Sequence, residues 1–196
     1  MTEKHATEAA ANFRPASAAP MMTEEESQAW RPTLMGWSAD ILGFYRSIAL
    51  ELPNPCKVVE VGSAHGRSAI FLAQELLALG HGSATEIYMV DSWGGDWMVQ
   101  CFPSIIKHAT PKELELLHPV RATSKRASRM FEPGSISLLF IDGDHSRGAC
   151  ASDLFAWYHA VAYGGIVSGH DYDASGHPGV VAAVDTFTNG QGREVV

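Results

Sequence analysis

Two short runs carry the groups best able to do chemistry. Residues 138–146 read LLFIDGDHS, and residues 164–172 read GGIVSGHDY. Each is a short apolar stretch that turns abruptly polar, the pattern of a parallel strand buried on both faces. The polar ends supply Asp142, Asp144, His145, His170 and Asp171. Such a gathering of carboxylates and imidazoles is unfavourable unless a cation is bound there or a proton is moved. In an open α/β sheet, the carboxyl ends of the strands are where ligands bind.

For those tips to meet, the surrounding elements must form a parallel sheet. From Lys57 the chain alternates. KVVEVG, EIYMVDSW, a weak segment at 119–122, ISLLFID and GIVSGHD read as strands. Residues 67–79, a stretch around 111–117, residues 149–163 and residues 179–187 read as helices. This alternation predicts an α/β, doubly wound, mostly parallel sheet. Right-handed crossovers then bring every strand's carboxyl end to one edge. Ahead of it, Thr23 and Glu26 have the spacing of a capping box. Residues 38–52 place Ile41, Leu42, Tyr45, Ile48, Ala49 and Leu52 at helical spacing, ended by PNP. The expected organisation is a disordered tail at 1–22, N-terminal helices at 23–56 and a ligand-binding α/β domain at 57–196.

The first strand runs into a glycine turn, from Glu60 through Gly62, Ser63 and Gly66 to Arg67. Gly62 lets the chain turn sharply, and Gly66 lets a ligand approach the N-terminus of the next helix. The spacing is not GxGxxG. It suits a nucleoside cofactor without a pyrophosphate better than a dinucleotide. Asp91 ends the second strand, 29 residues beyond Gly62, where a carboxylate can accept from both ribose hydroxyls. Trp93 and Trp97 follow it, either covering the site or packing.

Taken together, VVEVGSAHGRS, YMVDSW, ISLLFIDGDHS, GGIVSGHDY and HPGVVAAVDTF, over residues 57–188, resemble the class I S-adenosylmethionine-dependent methyltransferases. The likeness is greatest to the small O-methyltransferase branch that includes macrocin O-methyltransferase and the cephalosporin hydroxylase-type proteins. It implies a Rossmann-like fold. It also implies that Glu60, Gly62, Ser63 and Gly66 line the methionine side of S-adenosyl-L-methionine, that Asp91 holds the ribose, and that Ser124 lies near the adenine turn. In metal-dependent members, an Asp ending the fourth strand and an adjacent pair ending the fifth hold the ion, and the base stands three residues after the first ligand. By that resemblance Asp142 (which also borders the cofactor), His170 and Asp171 are the metal ligands, and His145 is the catalytic base. A histidine near its ordinary pKa of about 6.5 suits proton abstraction at neutral pH. His170 departs from the usual pair of oxygen donors. Magnesium prefers oxygen, whereas imidazole favours Mn, Fe, Co or Zn. The expected ion is therefore Mg or Mn, with another divalent ion possible, or else His170 turns away and Asp144 or Asp173 serves. The plainer reading has Asp142 and Asp171 bonding only backbone amides.

The implied function is metal-assisted O-methylation of a small hydroxylated acceptor, a sugar or secondary metabolite. One alternative is a nicotinamide-dependent oxidoreductase, weakened by the missing GxGxxG and the lack of a Tyr-x-x-x-Lys pair. Another is a catalytically silent cofactor-binding protein. Its motive is the C-terminal GREVV, which ends where a sixth strand would begin and would leave an open sheet edge. The net charge of −8 argues against nucleic-acid or anionic-membrane partners. Arg121, Lys125, Arg126 and Arg129 read as a solvated face. Cys56, Cys101 and Cys150 lack CxxC spacing, which suggests reduced thiols and a cytoplasmic location. No membrane span or signal peptide is expected, and a homo-oligomer is left open. His177 reads as a pocket cap or a loop residue, and His65 as a cofactor contact or turn filler. Asp153 is placed on a helix surface and Trp157 in the core.

Overall fold

The computed structural model describes residues 13–15, 22–35, 39–95, 98–192 and 195 of the 196-residue chain. Six strands form one sheet: β1 (Phe13–Pro15), β2 (Lys57–Val61), β3 (Glu86–Asp91), β4 (Leu117–Arg121), β5 (Ile136–Ile141) and β6 (Val161–Gly169). Their order is β1-β6-β5-β2-β3-β4, and every neighbouring pair is parallel.

The central strands are mostly apolar because both of their faces are covered. Val58, Ile87, Met89, Leu138 and Phe140 face one core. Their partners there lie on α2 (Ala39–Ala49), α3 (Arg67–Ala78) and α4 (Cys101–His108). Val59, Val61, Val90, Leu139 and Ile141 face the other, against α7 (Arg147–Trp157) and α8 (Pro178–Gly190). Trp157 is fully buried, as its spacing predicts.

α1 (Glu24–Ala29) begins with the expected Thr23–Glu26 capping box. The Arg67 guanidinium ties α1 and the turn after it to the start of α3 by donating to the carbonyls of Ser27, Trp30, Arg31 and Leu34. The Ser27 carbonyl, in the last turn of α1, thereby gains a partner.

Two predicted helices change. The helix predicted at 149–163 stops at Trp157, and β6 begins at Val161. Val161, buried in the second core, pairs with Ile136, while Ile166 pairs with Leu138. The extra residues between them bulge, and Gly164 supplies a φ of +75°. The helix predicted at 111–117 shortens to α5 (Pro111–Leu114), Leu117 starts β4, and the short α6 (Ser124–Ala127) follows that strand. Pro119, which lacks an N–H, is tolerated because β4 lies on the sheet edge.

The tail expected to be disordered contributes β1, paired with Val167–Gly169 along the outer edge of β6. Met22 is also buried. The remaining residues of the 1–22 stretch lie outside the described ones. The basic residues near β4 are exposed, and the three cysteines are buried and free. Among the described residues, no helix is long and apolar enough to cross a membrane.

Candidate active site

Chain direction creates the site. α3, which follows β2, packs on one face of the sheet, and α7, which follows β5, packs on the other. The connections therefore part above two neighbouring strand tips, opening a crevice. A cleft of about 1410 Å³ lies there, roomier than the roughly 300–1,000 Å³ usual for one small ligand. Gly62 makes the tips meet. It has a φ of +96°, and a Cβ on it would stand 1.9 Å from the Asp142 carbonyl oxygen. The Gly62 N–H donates to the Val90 carbonyl at 2.8 Å, and the Asp142 N–H donates to the Val61 carbonyl at 2.8 Å.

Ser63, Ala64 and His65 line the cleft after Gly62. Asp91 holds this turn in place. One carboxylate oxygen accepts the Ala64 N–H and the other the Trp93 N–H, each at 2.9 Å. The Trp93 indole returns a 2.9 Å bond to the Ala64 carbonyl. Asp91 still borders the cleft, and each oxygen keeps a lone pair for a ribose hydroxyl. Trp93 is 2% exposed and meets Phe102 edge-on, so it packs; Trp97 lies outside the described residues.

Two of the residues expected at the cofactor stand behind the cleft wall. Gly66 is absent from the cleft wall. Its N–H is bonded to the Ser63 carbonyl, and a Cβ on it would strike Met89 and Ile105 at 2.6 and 2.7 Å. Its glycine therefore serves packing and a left-handed helix cap. Glu60 alternates onto the α2–α3 face of the sheet and is 1% exposed, so it does not line the cleft either. The Tyr45 hydroxyl donates to it at 2.7 Å. Burial pushes its carboxyl up to about 7, against the pull of the Tyr45, Ser68 and Ser63 hydroxyls.

The acid–histidine cluster does assemble. His145 Nε2 stands 2.9 Å from Asp171 Oδ2 and 3.6 Å from Asp142 Oδ1. His170 Nδ1 stands 3.0 Å from Asp171 Oδ1 and 3.9 Å from Asp142 Oδ1. His177 Nδ1 joins them, 3.3 Å from Asp171 Oδ1. Asp171 reaches this position with a φ of +60°, a strained conformation that persists only where its surroundings impose it. The Asp142 and Asp171 carboxylates thus face imidazoles. Burial raises the Asp142 carboxyl, and His170 draws it back.

The residue that sequence reasoning missed is Asp40, in the first turn of α2. Its carboxylate lies 2.7 Å from His170 Nε2. Both nitrogens of His170 therefore meet carboxylates. Burial opposes the charge, but the Asp40 hydrogen bond and the charges of Asp142, Asp40 and Asp171 outweigh it and raise the imidazole to about 9. Asp144 instead accepts the Ser146 N–H, and Asp173 folds its own loop through Ser175 and Gly176.

The opposite wall holds a second surprise. Asp153, expected on a helix surface, is 9% exposed and borders the cleft, and burial raises its carboxyl. Beside it, Ser124 lines the cleft and accepts the Trp157 indole N–H at 2.8 Å.

The donor set fits a divalent cation. Asp142, His170 and Asp171 each offer an atom, all within 4.8 Å of one another. Asp40 on the far nitrogen of His170 is the kind of outer carboxylate that orients a ligating imidazole. His145, Asp171 and His177 form a second group that meets the same condition.

The family described as "Methyltransferase domain" matches residues 59–172. Uncharacterized protein y4gI of Sinorhizobium fredii is 27% identical over 128 residues, which is 63% of this chain. The chain spans only 14% of that protein's length. Among solved structures, a TDP-rhamnose 3′-O-methyltransferase of calicheamicin biosynthesis is 17% identical with a TM-score of 0.62, over 88% of this chain and 80% of that one. A Podospora anserina methyltransferase, solved with bound S-adenosylhomocysteine, is 14% identical with a TM-score of 0.59, over 88% and 80%. An S-adenosylmethionine-dependent O-methyltransferase of Thermotoga maritima is 13% identical with a TM-score of 0.56, over 83% and 54%.

Proposed function

The chain belongs to the methyltransferase-domain family, and from that premise we propose that it methylates a hydroxyl of a small molecule, using S-adenosylmethionine and a divalent ion. The observation that carries this reading is the juxtaposition, in one cleft, of the Gly62–Asp91 cradle and the Asp142–His145–His170–Asp171 cluster. The likeness to a TDP-rhamnose methyltransferase supports a sugar hydroxyl as the acceptor class. Family membership removes the ground for the nicotinamide alternative.

When bound, S-adenosylmethionine supplies an electrophilic methyl group and a divalent ion lowers the pKa of an acceptor hydroxyl. Ser63, Asp91, Ser124 and the backbone at Gly62 and Asp142 would hold the cofactor. Asp142, His170 and Asp171 would hold the ion. His145 is the base. Its Nε2–H donates to Asp171, which fixes the tautomer and leaves Nδ1 free to take the hydroxyl proton. The side chain is 44% exposed, so an acceptor can reach it and the proton can leave to solvent. A metal-free variant of the same chemistry is favoured by one observation: His170, charged between Asp40 and Asp171, already supplies a cation beside Asp142.

Incubation with S-adenosylmethionine and a panel of sugar nucleotides and small alcohols, with and without chelator, tests the proposal. It predicts an O-methyl product, lost in His145→Ala and reduced by chelator. Methyl groups found on nitrogen or carbon, or turnover indifferent to His145, would overturn it. Undiminished turnover in chelator would select the metal-free variant.

A further inference from the structure

We infer that His145, Asp171 and His177 form a second cation site, suited to zinc, whose occupation switches methyl transfer off. The switching rests on the reading of His145 as the base; the site itself does not. The three groups come from separate places: His145 from the turn after β5, Asp171 from the tip of β6 and His177 from the start of α8. Each offers one donor atom, and these atoms lie within 4.8 Å of one another. His145 Nε2 faces Asp171 Oδ2 at 2.9 Å, and His177 Nδ1 faces Asp171 Oδ1 at 3.3 Å. The two imidazole rings meet edge-on, their centroids 4.8 Å apart. The backbone is built to hold them. A Cβ on Gly179 would stand 2.9 Å from both the His145 carbonyl oxygen and the Arg147 nitrogen, so glycine there lets the start of α8 close on the His145 turn. The His177 N–H donates to the Asp173 carbonyl at 2.8 Å, and the Asp173 carboxylate accepts the Ser175 and Gly176 N–H groups. The loop that carries His177 is thus tied to itself.

The donors differ in kind from the Asp142–His170–Asp171 group, with which they share Asp171 alone. Two imidazoles and one carboxylate suit zinc, nickel or iron(II), whereas two carboxylates and one imidazole are the harder set. His145 and His177 are also partly exposed, so an ion reaches them from solvent. Ligation uses the nitrogen of His145 that carries a proton toward Asp171. A neutral imidazole bound to an ion through Nε2 keeps its single proton on Nδ1. The Nε2 proton therefore passes through solvent to Nδ1, and the neutral ring releases none. Nδ1 is the atom that would take the acceptor's proton, so an ion here removes the base and leaves the Gly62–Asp91 cradle untouched. Magnesium, which prefers oxygen ligands and sheds water reluctantly, does not compete for this pair of imidazoles.

Calorimetry on the full chain tests the site, titrating zinc chloride and, separately, manganese chloride into wild type and His177→Ala without S-adenosylmethionine. His177 offers nothing to the Asp142–His170–Asp171 group, so manganese affinity is expected to persist in the variant. Zinc affinity is expected to fall by about tenfold or more, since loss even of a group that only orients a ligand costs that much. Zinc affinity unchanged in His177→Ala, an equal fall for both ions, or no zinc binding to wild type would each overturn the site. A second arm reads the switch. The zinc concentration that halves manganese-supported methyl transfer is expected to rise by about tenfold or more in His177→Ala. Half-inhibition at the same zinc concentration in both forms would overturn the switching role. The binding arm uses neither acceptor nor cofactor, so it decides the site whatever becomes of the proposed function. Failure of that function shows separately, as no methyl transfer by wild type before zinc is added.

Discussion

Asp40→Asn is the most informative perturbation of the site. In the ion-free protein, Asp40 hydrogen-bonds a His170 held at about 9. A rise from about 6.5 to that value corresponds to roughly 3 kcal/mol shared among Asp40, Asp142 and Asp171. His170 is 23% exposed, so solvent screens part of this. Asp40 is the strongest of the groups that raise it, which leaves about 1–2 kcal/mol for Asp40 alone. The sign follows from the direction of the shift. The folded pKa lies above the unfolded one, so this stabilisation is fully present below about pH 6.5 and is lost as pH rises through about 9. Asp40 itself is held below its ordinary value, chiefly by the His170 hydrogen bond, so the stabilisation fails again only in strong acid. Urea unfolding in EDTA, repeated from pH 6 to 10, should show Asp40→Asn less stable by about 1–2 kcal/mol at pH 6 and nearly equal to wild type at pH 10. A difference that does not change with pH would refute the ion-pair account of His170.

Gly62→Ala forces a Cβ to 1.9 Å from the Asp142 carbonyl at a φ of +96°. Left-handed strain and forced separation of two strand tips should together destabilise the fold by about 3 kcal/mol or more, read by denaturant midpoint. Glu60→Gln should be nearly neutral at pH 5. It should become stabilising, by about 1–2 kcal/mol, above pH 7, because Glu60 folds with its pKa raised to about 7 and its ionisation opposes folding. Differential unfolding curves at the two pH values decide it. His145→Ala should lower the methyl-transfer rate by about 10²–10⁴ while cofactor affinity, measured by calorimetry, changes little.

Much of this site is legible in one dimension, for an identifiable reason. β5 and β6 are apolar runs with polar ends, and parallel pairing alone brings Asp142 and His145 to His170 and Asp171. Thr23–Glu26 and Asp91 are likewise read from short-range spacing. Asp40 is not. It lies 130 residues from His170, and a lone Asp in a helix's first turn reads as a favourable charge on the helix dipole. β1 is equally hidden, being three residues ending in proline whose partner strand is far along the chain. Asp153 did carry a signal. It precedes Trp157 by one helical turn, so a buried Trp157 implies a buried Asp153. Gly62 and Gly66 mark the turn correctly, but their missing Cβ atoms make room for the Asp142 backbone and for Met89 and Ile105. Spacing alone does not separate a glycine that clears room for a ligand from one that clears room for the protein's own core.

The central claim is that the cleft above β2 and β5 is a S-adenosylmethionine site. Titrating S-adenosylhomocysteine into the full chain by calorimetry tests it most directly. The account predicts saturable binding of one ligand per chain, weakened in Asp91→Ala, whose carboxylate both braces the Ala64 turn and faces the ribose. Absence of binding at millimolar ligand would contradict it.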